Sequence, residues 1–209
     1  MSIQAFVFDC GGVVLRDGDL APYDHWAREL GLSQGELRAR LWGGQSWSLA
    51  EVGRISEDDF WFHVAPSLGL EDEAAIRRLA ADIWSTWRVD PSVLALIDSV
   101  RQTHRVAMLS NATDVLEERL SQTYGVADRF EHILNSARLG WAKPDPRVYA
   151  ELCQRLQLDP HEIVFVDDRA ENIVAAAAHG LHVAWFVGAT ELERQLAAFR
   201  NHHAAGLGQ

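Results

Sequence analysis

The sequence predicts an α/β fold, a doubly wound parallel sheet with a helical segment inserted after its first strand. Three observations predict it. Five short apolar runs stand out: Ile3 to Phe8, Arg105 to Leu109, His132 to Leu134, Ile163 to Val166 and His182 to Val187. They are continuous rather than alternating, which suits strands buried on both faces of a parallel sheet. Helical segments separate most of them, the pattern of an open α/β sheet. The interval from about Asp17 to Val89 holds no convincing strand, yet carries Trp26, Trp42, Trp47, Trp61, Trp84 and Trp87.

The elements can be justified in order. Within the inserted interval, Ser33-x-x-Glu36 and Ser56-x-x-Asp59 have the form of helix-start capping signals. The tryptophans there are expected to form mainly its own core, because indole buries a large area. Asp90-Pro91 supplies an N-cap and a proline at the first helical position, and Asp145-Pro146 repeats the device. Ala170 to Ala178 reads as a helix packed through small side chains and ended by Gly180. The tail from 201 to 209 is expected to fray, with His202-His203 a solvated pair rather than a metal site. This divides the chain into a core of 1–16 with 90–209 and a helical cap of 17–89.

Composition bounds the function. The 209 residues suffice for one large domain with a modest insertion, and 48% hydrophobic content suits a disulfide-free core. Cys10 and Cys153 form no CxxC pair, so neither a disulfide framework nor a zinc knuckle is expected. No apolar stretch reaches membrane-spanning length and the N-terminal run is too short for a signal peptide, which makes a reducing cytoplasm the expected compartment. A net charge of -11 argues against nucleic acid as the ligand. It does not argue against a small phosphorylated molecule, because a bound cation inverts local charge. Nothing in the sequence specifies an oligomeric state.

Polar groups follow directly on apolar runs at three places: Asp9 after Ala5 to Phe8, Ser110-Asn111 after Val106 to Leu109, and Asp167-Asp168 after Ile163 to Val166. Lys143 follows the third run by a short loop, and it is the one lysine among 19 basic residues. Ligands of open α/β sheets bind at the carboxyl ends of the strands, so these groups are expected on one rim. Asp9 can attack phosphorus as a carboxylate nucleophile. Asp9 and Asp168 supply hard oxygen ligands for Mg²⁺, with Asp167 nearby. Ser110 can hydrogen-bond a transferring phosphoryl oxygen, and Lys143 can neutralise its charge and hold the carboxylates together. Singly, each group has a plainer reading: a strand-end turn for Asp9 before Gly11-Gly12, or helix caps for Ser110-Asn111 and Asp167-Asp168. Four such coincidences in this order outweigh those readings.

The ordered set Phe8-Asp9-Cys10-Gly11-Gly12-Val13, Leu109-Ser110-Asn111, Lys143-Pro144 and Val166-Asp167-Asp168 with Asn172 resembles the four motifs of the haloacid dehalogenase superfamily across essentially the whole chain. The wording of the motifs, with Gly53-x-Ile55-Ser56-x-x-x-Phe60 in the cap, is similar to the branch containing a bacterial α-glucose-1-phosphate phosphatase. The resemblance implies a Rossmann-like core with an inserted cap. It also implies an Mg²⁺-dependent phosphohydrolase acting on a small phosphorylated metabolite, such as a sugar phosphate, through an aspartyl-phosphate. The implied metal ligands are Asp9, the Gly11 carbonyl, Asp167 and Asp168. Gly11, Gly12, Ser110, Asn111 and Lys143 would bind the phosphoryl group, and Asp9, Ser110 and Lys143 would carry the chemistry.

One position departs from the pattern. Most phosphatases of this kind carry a second Asp two places after the nucleophile, where this chain has Gly11. A general acid/base is worth about 10²–10⁴ in rate. Three readings stay open: a phosphatase for good leaving groups such as sugar-1-phosphates, acyl or aryl phosphates; replacement of the acid by Asp17 or Asp19; or a weakened, phosphate-ligand- or partner-binding protein. A dehalogenase is the other enzymatic alternative, but it would not call for the Asp167-Asp168 pair. Cys10 is expected to pack on the side of the strand end opposite Asp9.

Overall fold

The computed structural model describes residues 2–204, with side chains through residue 200. Five parallel strands form one sheet in the order β5-β4-β1-β6-β7: β1 (Ala5–Phe8), β4 (Arg105–Ser110), β5 (His132–Asn135), β6 (Ile163–Asp167) and β7 (His182–Trp185). β1 is central, with Phe8 level with Met108 on one side and Val166 on the other. Its side chains alternate between two cores. Phe6 and Phe8 join a cluster with Val93, Ile97, Leu192 and Leu196, from α6 (Pro91–Val100) and α11 (Ala189–Ala204). Ala5 and Val7 join another with Val148, Leu152 and Ala176, from α9 (Pro146–Leu156) and α10 (Ala170–Ala178). Helices thus cover both faces, which is why the strands are continuously apolar. The strands fall where the apolar runs do, and Asp90 and Asp145 cap α6 and α9 through their side chains. His202 and His203, whose side chains lie beyond residue 200, and residues 205–209 fall outside the described residues.

The interval after β1 is mainly helical: α1 (Ala21–Glu29), α2 (Gln34–Trp42), α3 (Gln45–Ala50), α4 (Glu57–Val64) and α5 (Glu73–Trp84). Ser33 and Glu36 form a full capping box, and Ser56 accepts from the Asp59 N–H. These helices share a third core, with Tyr23, Leu37, Leu41, Phe60, Leu79 and Ile83 fully buried. Burying each such large apolar side chain contributes about 1.5–3 kcal/mol.

One expectation is corrected here. The interval does contain a strand, β3 (Trp87–Val89), which pairs antiparallel with β2 (Leu15–Asp17). Each is three residues long and mixes polar with apolar residues, too short to show an alternation in sequence. The ribbon carries both chain crossings between the sheet and the helical layer, side by side. Short helices α7 (Leu116–Glu118) and α8 (Ser136–Leu139) follow β4 and β5.

Candidate active site

The carboxyl ends of β1, β4 and β6 bring the expected groups together. Asp9 follows the last residue of β1, and its N–H donates to the Val166 carbonyl at 2.8 Å, tying it to the neighbouring strand. Lys143 arrives from the loop between α8 and α9 and is joined to Pro144 by a cis peptide bond. Its ammonium is buried, and its three protons meet three acceptors: Asp9 Oδ1 at 2.8 Å, Asp167 Oδ2 at 2.7 Å and the Leu109 carbonyl at 2.9 Å. That set uses all the donors an ammonium has. It also compensates two buried carboxylates.

The two neighbouring aspartates divide their work. Asp167 is fully buried and heavily bonded: besides Lys143, it accepts from the Arg169 N–H at 2.8 Å and from the Asn172 side chain at 3.0 and 3.1 Å. Asp168 is half-buried, and its Oδ1 is shielded from solvent with no hydrogen-bond partner among the described residues. An acceptor left this way is costly unless something positive completes it. Asp9, Asp167 and Asp168 each offer an oxygen, all within 4.8 Å of one another. This hard-oxygen set fits a cation such as Mg²⁺. Gly12 makes room for it: at φ +84°, a Cβ there would lie 2.2 Å from Asp168 Oδ2. Burial, reinforced by the Asp167 charge and opposed by Lys143, pushes Asp9 up to about 7. Burial likewise raises Asp168. Both shifts have burial as their first cause, with the neighbouring Asp167 charge adding to it.

The remaining expected residues are also on this rim. Ser110 ends β4 and lines the cleft with Gly11, Gly12 and Asn111. The Asn111 side chain is engaged differently from the direct phosphoryl contact expected of it. Its Oδ1 accepts from the Lys143 N–H at 2.8 Å and its Nδ2 donates to the Lys143 carbonyl at 2.8 Å. Cys10 is buried against the sheet core, and burial raises its thiol pKa. Of the two carboxylates weighed as a replacement acid, Asp19 caps the Ala21 N–H, and Asp17 pairs with Arg38 at 3.0 Å.

Sequence reasoning missed the contacts that seat the helical layer on the sheet. Glu57, at the start of α4, is buried and accepts from Arg119 through both guanidinium arms (2.5 and 2.7 Å) and from Thr113 Oγ1 at 2.6 Å. The Arg119 guanidinium lies 3.9 Å from the centre of the Trp84 ring. Asp114 accepts from the Glu57 N–H at 2.9 Å. Gly53, at φ +68°, lies against the Ala137 carbonyl, where a Cβ would come within 2.1 Å. Glu51 accepts from Asn111 Nδ2 at 3.3 Å, and burial raises its pKa. Sequence spacing gives no signal for the carboxylate contacts, since the hydrogen-bond partners of Glu51 and Glu57 lie 56 to 62 residues away.

The two layers enclose a cleft of about 630 Å³ above the carboxylates. Here the expectation for the tryptophans is corrected in part. Trp26 and Trp61 are buried in the helical core, but Trp42, Trp47, Trp84 and Trp87 also line the cleft. The helical layer is thin, and rings on its inner side serve its packing and face the sheet at once.

With this geometry, the similarities to known proteins are informative. The family model for haloacid dehalogenase-like hydrolases matches residues 3–180. A phosphatase of Mycobacterium tuberculosis is 30% identical over 198 residues, covering 87% of this chain and 86% of that protein. An (S)-2-haloacid dehalogenase of a Pseudomonas species is 27% identical over 192 residues, covering 86% and 82%. A family enzyme from Bacteroides thetaiotaomicron, solved with magnesium and inorganic phosphate, superposes with a TM-score of 0.73 at 20% identity. That match covers 88% of this chain and 94% of the other, and shows the shared fold. No helix among the described residues is long and apolar enough to cross a membrane. The chain belongs to the haloacid dehalogenase-like hydrolase family.

Proposed function

We propose that the protein is a Mg²⁺-dependent phosphatase of a small phosphorylated metabolite, working through an aspartyl-phosphate on Asp9. The observation that carries this reading is the buried, unpartnered Asp168 Oδ1 beside Asp9 and Asp167. Attack by an aspartate on carbon needs no second and third carboxylate, whereas a cation site does. Asp9, Asp168 and the Gly11 carbonyl would hold the ion, with Asp167 in support. When bound, Mg²⁺ supplies neutralising charge for phosphoryl oxygens.

The chain's own groups do the rest. Asp9 Oδ1 is fixed by Lys143 and by the Cys10 N–H at 2.7 Å, which leaves the other oxygen for attack. Lys143 offsets negative charge at the point where the phosphoryl group arrives. Ser110 donates to a phosphoryl oxygen, and Gly12 permits close approach. Asn111 acts through Lys143, whose backbone it holds. Residues 17–89 act as the cap, excluding water and selecting the substrate. The free thiols of Cys10 and Cys153 suit a reducing cytoplasm.

The test is a panel of p-nitrophenyl phosphate and sugar phosphates assayed with and without Mg²⁺. Turnover that needs Mg²⁺ and disappears in Asp9→Asn is expected. No turnover, or metal-independent turnover surviving Asp9→Asn, overturns the reading. The similarity to an (S)-2-haloacid dehalogenase supports a second reading, in which Asp9 displaces halide from carbon. Metal-independent halide release from 2-haloacids would establish it.

A further inference from the structure

Resting on the phosphatase reading above, we propose that the substrate is an aryl phosphate: the monoester of a phenol-type hydroxyl on a flat, uncharged body. Four features of the cleft lead there.

The walls are aromatic. Trp42, Trp47, Trp84 and Trp87 line the cleft above Asp9. Trp42 and Trp47 meet edge to face at 5.0 Å, a rigid corner that presents ring surface. Planar apolar groups gain most from such surfaces.

The cleft's cations are already matched. Arg16 pairs with Asp90, Arg38 with Asp17, Arg119 with Glu57 and Arg169 with Glu171. Lys143 is spent on Asp9 and Asp167. A substrate with a carboxylate or a second phosphate would therefore have to compete with these pairs for an arginine, which favours an uncharged body.

Several of the polar side chains are matched too, while Trp84 Nε1 and Trp87 Nε1 are buried with no partner among the described residues. Trp42 Nε1 donates to the Tyr23 hydroxyl at 2.9 Å, Thr113 Oγ1 to Glu57, and Asn111 to the Lys143 backbone. A polyhydroxylated sugar body would give up its water with few partners in return, which a cleft of this kind penalises.

The fourth feature is the leaving group. Position 11 has no side chain, and the Trp87 ring borders it: a Cβ on Gly11 would make ordinary contact with that ring at 3.6 Å. Position 11 itself offers no proton donor, and Asp17, which also lines the cleft, is paired with Arg38. A phenol, with a pKa of about 10, departs as its anion far more readily than an alkanol. In the transfer, an Asp9 oxygen forms the bond to phosphorus as the P–O(aryl) bond breaks, and the aryl oxide leaves with the electron pair and takes a proton from solvent. Water then cleaves the aspartyl-phosphate, returning the Asp9 carboxylate and releasing inorganic phosphate. The balance is aryl phosphate plus water to phenol plus phosphate.

The experiment is a kcat/KM comparison with Mg²⁺ across acetyl phosphate, substituted phenyl phosphates, 2-naphthyl phosphate, glucose 1-phosphate and glycerol phosphate. Acetyl phosphate has a good leaving group and no ring, so it separates reactivity from wall recognition. We expect 2-naphthyl phosphate to exceed glycerol phosphate, an alkoxide ester, by about 100-fold or more, the scale a missing acid sets for poor leaving groups, and to exceed glucose 1-phosphate as well. Across the phenyl series kcat/KM should fall steeply with leaving-group pKa. The ratio of 2-naphthyl to acetyl phosphate should drop about tenfold in Trp47→Ala or Trp87→Leu, as expected when one aromatic anchor is removed. Turnover of acetyl and glucose phosphates with no aryl preference, and a ratio unchanged in both tryptophan variants, overturns the substrate class alone. A flat leaving-group dependence that steepens in Glu51→Gln also overturns it, by revealing a proton donor on the helical side. Failure of every phosphate, acetyl phosphate included, sinks the phosphatase reading and the substrate class together.

Discussion

Asn111 grips Lys143 by both polar groups of its backbone, accepting from its N–H and donating to its carbonyl, each at 2.8 Å. The side chain of one strand-end residue thus sets where the ammonium of a distant loop points. Asn111→Asp keeps the acceptor but replaces the donor with an oxygen facing a carbonyl. We expect kcat to fall by about tenfold to a hundredfold, the usual cost of losing a supporting hydrogen bond at a metal-type site. KM for the phosphate ester should move much less. Steady-state kinetics on the variant, with circular dichroism to confirm the fold, checks it.

Lys143 serves three acceptors within 2.9 Å from a point charge. A guanidinium is planar and wider, so it cannot reach all three from the same stem. Lys143→Arg should retain charge yet lose about a hundredfold or more in kcat. Lys143→Met should also destabilise the protein by about 3 kcal/mol, because two buried carboxylates lose their partner. Parent-like turnover in Lys143→Arg would show that compactness is not what the site requires.

Gly12→Ala places a methyl group against the Asp168 carboxylate at a backbone angle that alanine resists. The carboxylate must turn away. Apparent Mg²⁺ affinity should weaken about tenfold to a hundredfold, measured as the Mg²⁺ concentration for half-maximal turnover and by calorimetric titration.

Asp9 gives the metal-free protein a definite pH dependence. Its carboxyl titrates at about 7 when folded against the usual 3.8, so the folded state holds the extra proton between these values. Its contribution to stability is full below about pH 4 and is lost as pH rises through 7. The raised Lys143 pKa adds stability that persists through neutral pH and is lost only in alkali. Mg²⁺ competes with the proton on the carboxylates. The rise in melting temperature caused by Mg²⁺ over chelator should therefore be larger at pH 8 than at pH 5. Equal rises at both would refute a carboxylate site.

Glu57 and Arg119 clamp the helical layer to the sheet, with Thr113 as a third member. Glu57→Ala leaves a half-buried guanidinium without its carboxylate. A loss of about 2 kcal/mol in stability is expected, below the full buried-pair value because Arg119 is part-exposed. Urea denaturation measures it.

Legibility in the sequence tracked how local each cause was. The five sheet strands could be read because each apolar run is buried on both faces and stops at a polar residue. Asp9, Ser110, Lys143 and Asp167-Asp168 could be read because topology sends every strand end to the same rim. The β2–β3 ribbon could not, since three mixed residues on either side show no period. Nor could Glu51 and Glu57, whose partners are far along the chain. The tryptophans show the limit from another side. Indole size says that a ring will be buried, but not whether its far face meets another helix or the open cleft.

The ribbon has a consequence for how this site could change. Trp87 sits in the strand that returns the chain to the sheet, opposite Asp17 in register. Its ring borders the space that a side chain at position 11 would enter. A carboxylate introduced at 11 would lie against that indole, on the strand from which the helical layer is hung, so proton donation to the leaving group and the mechanical tie between the two layers meet at one joint.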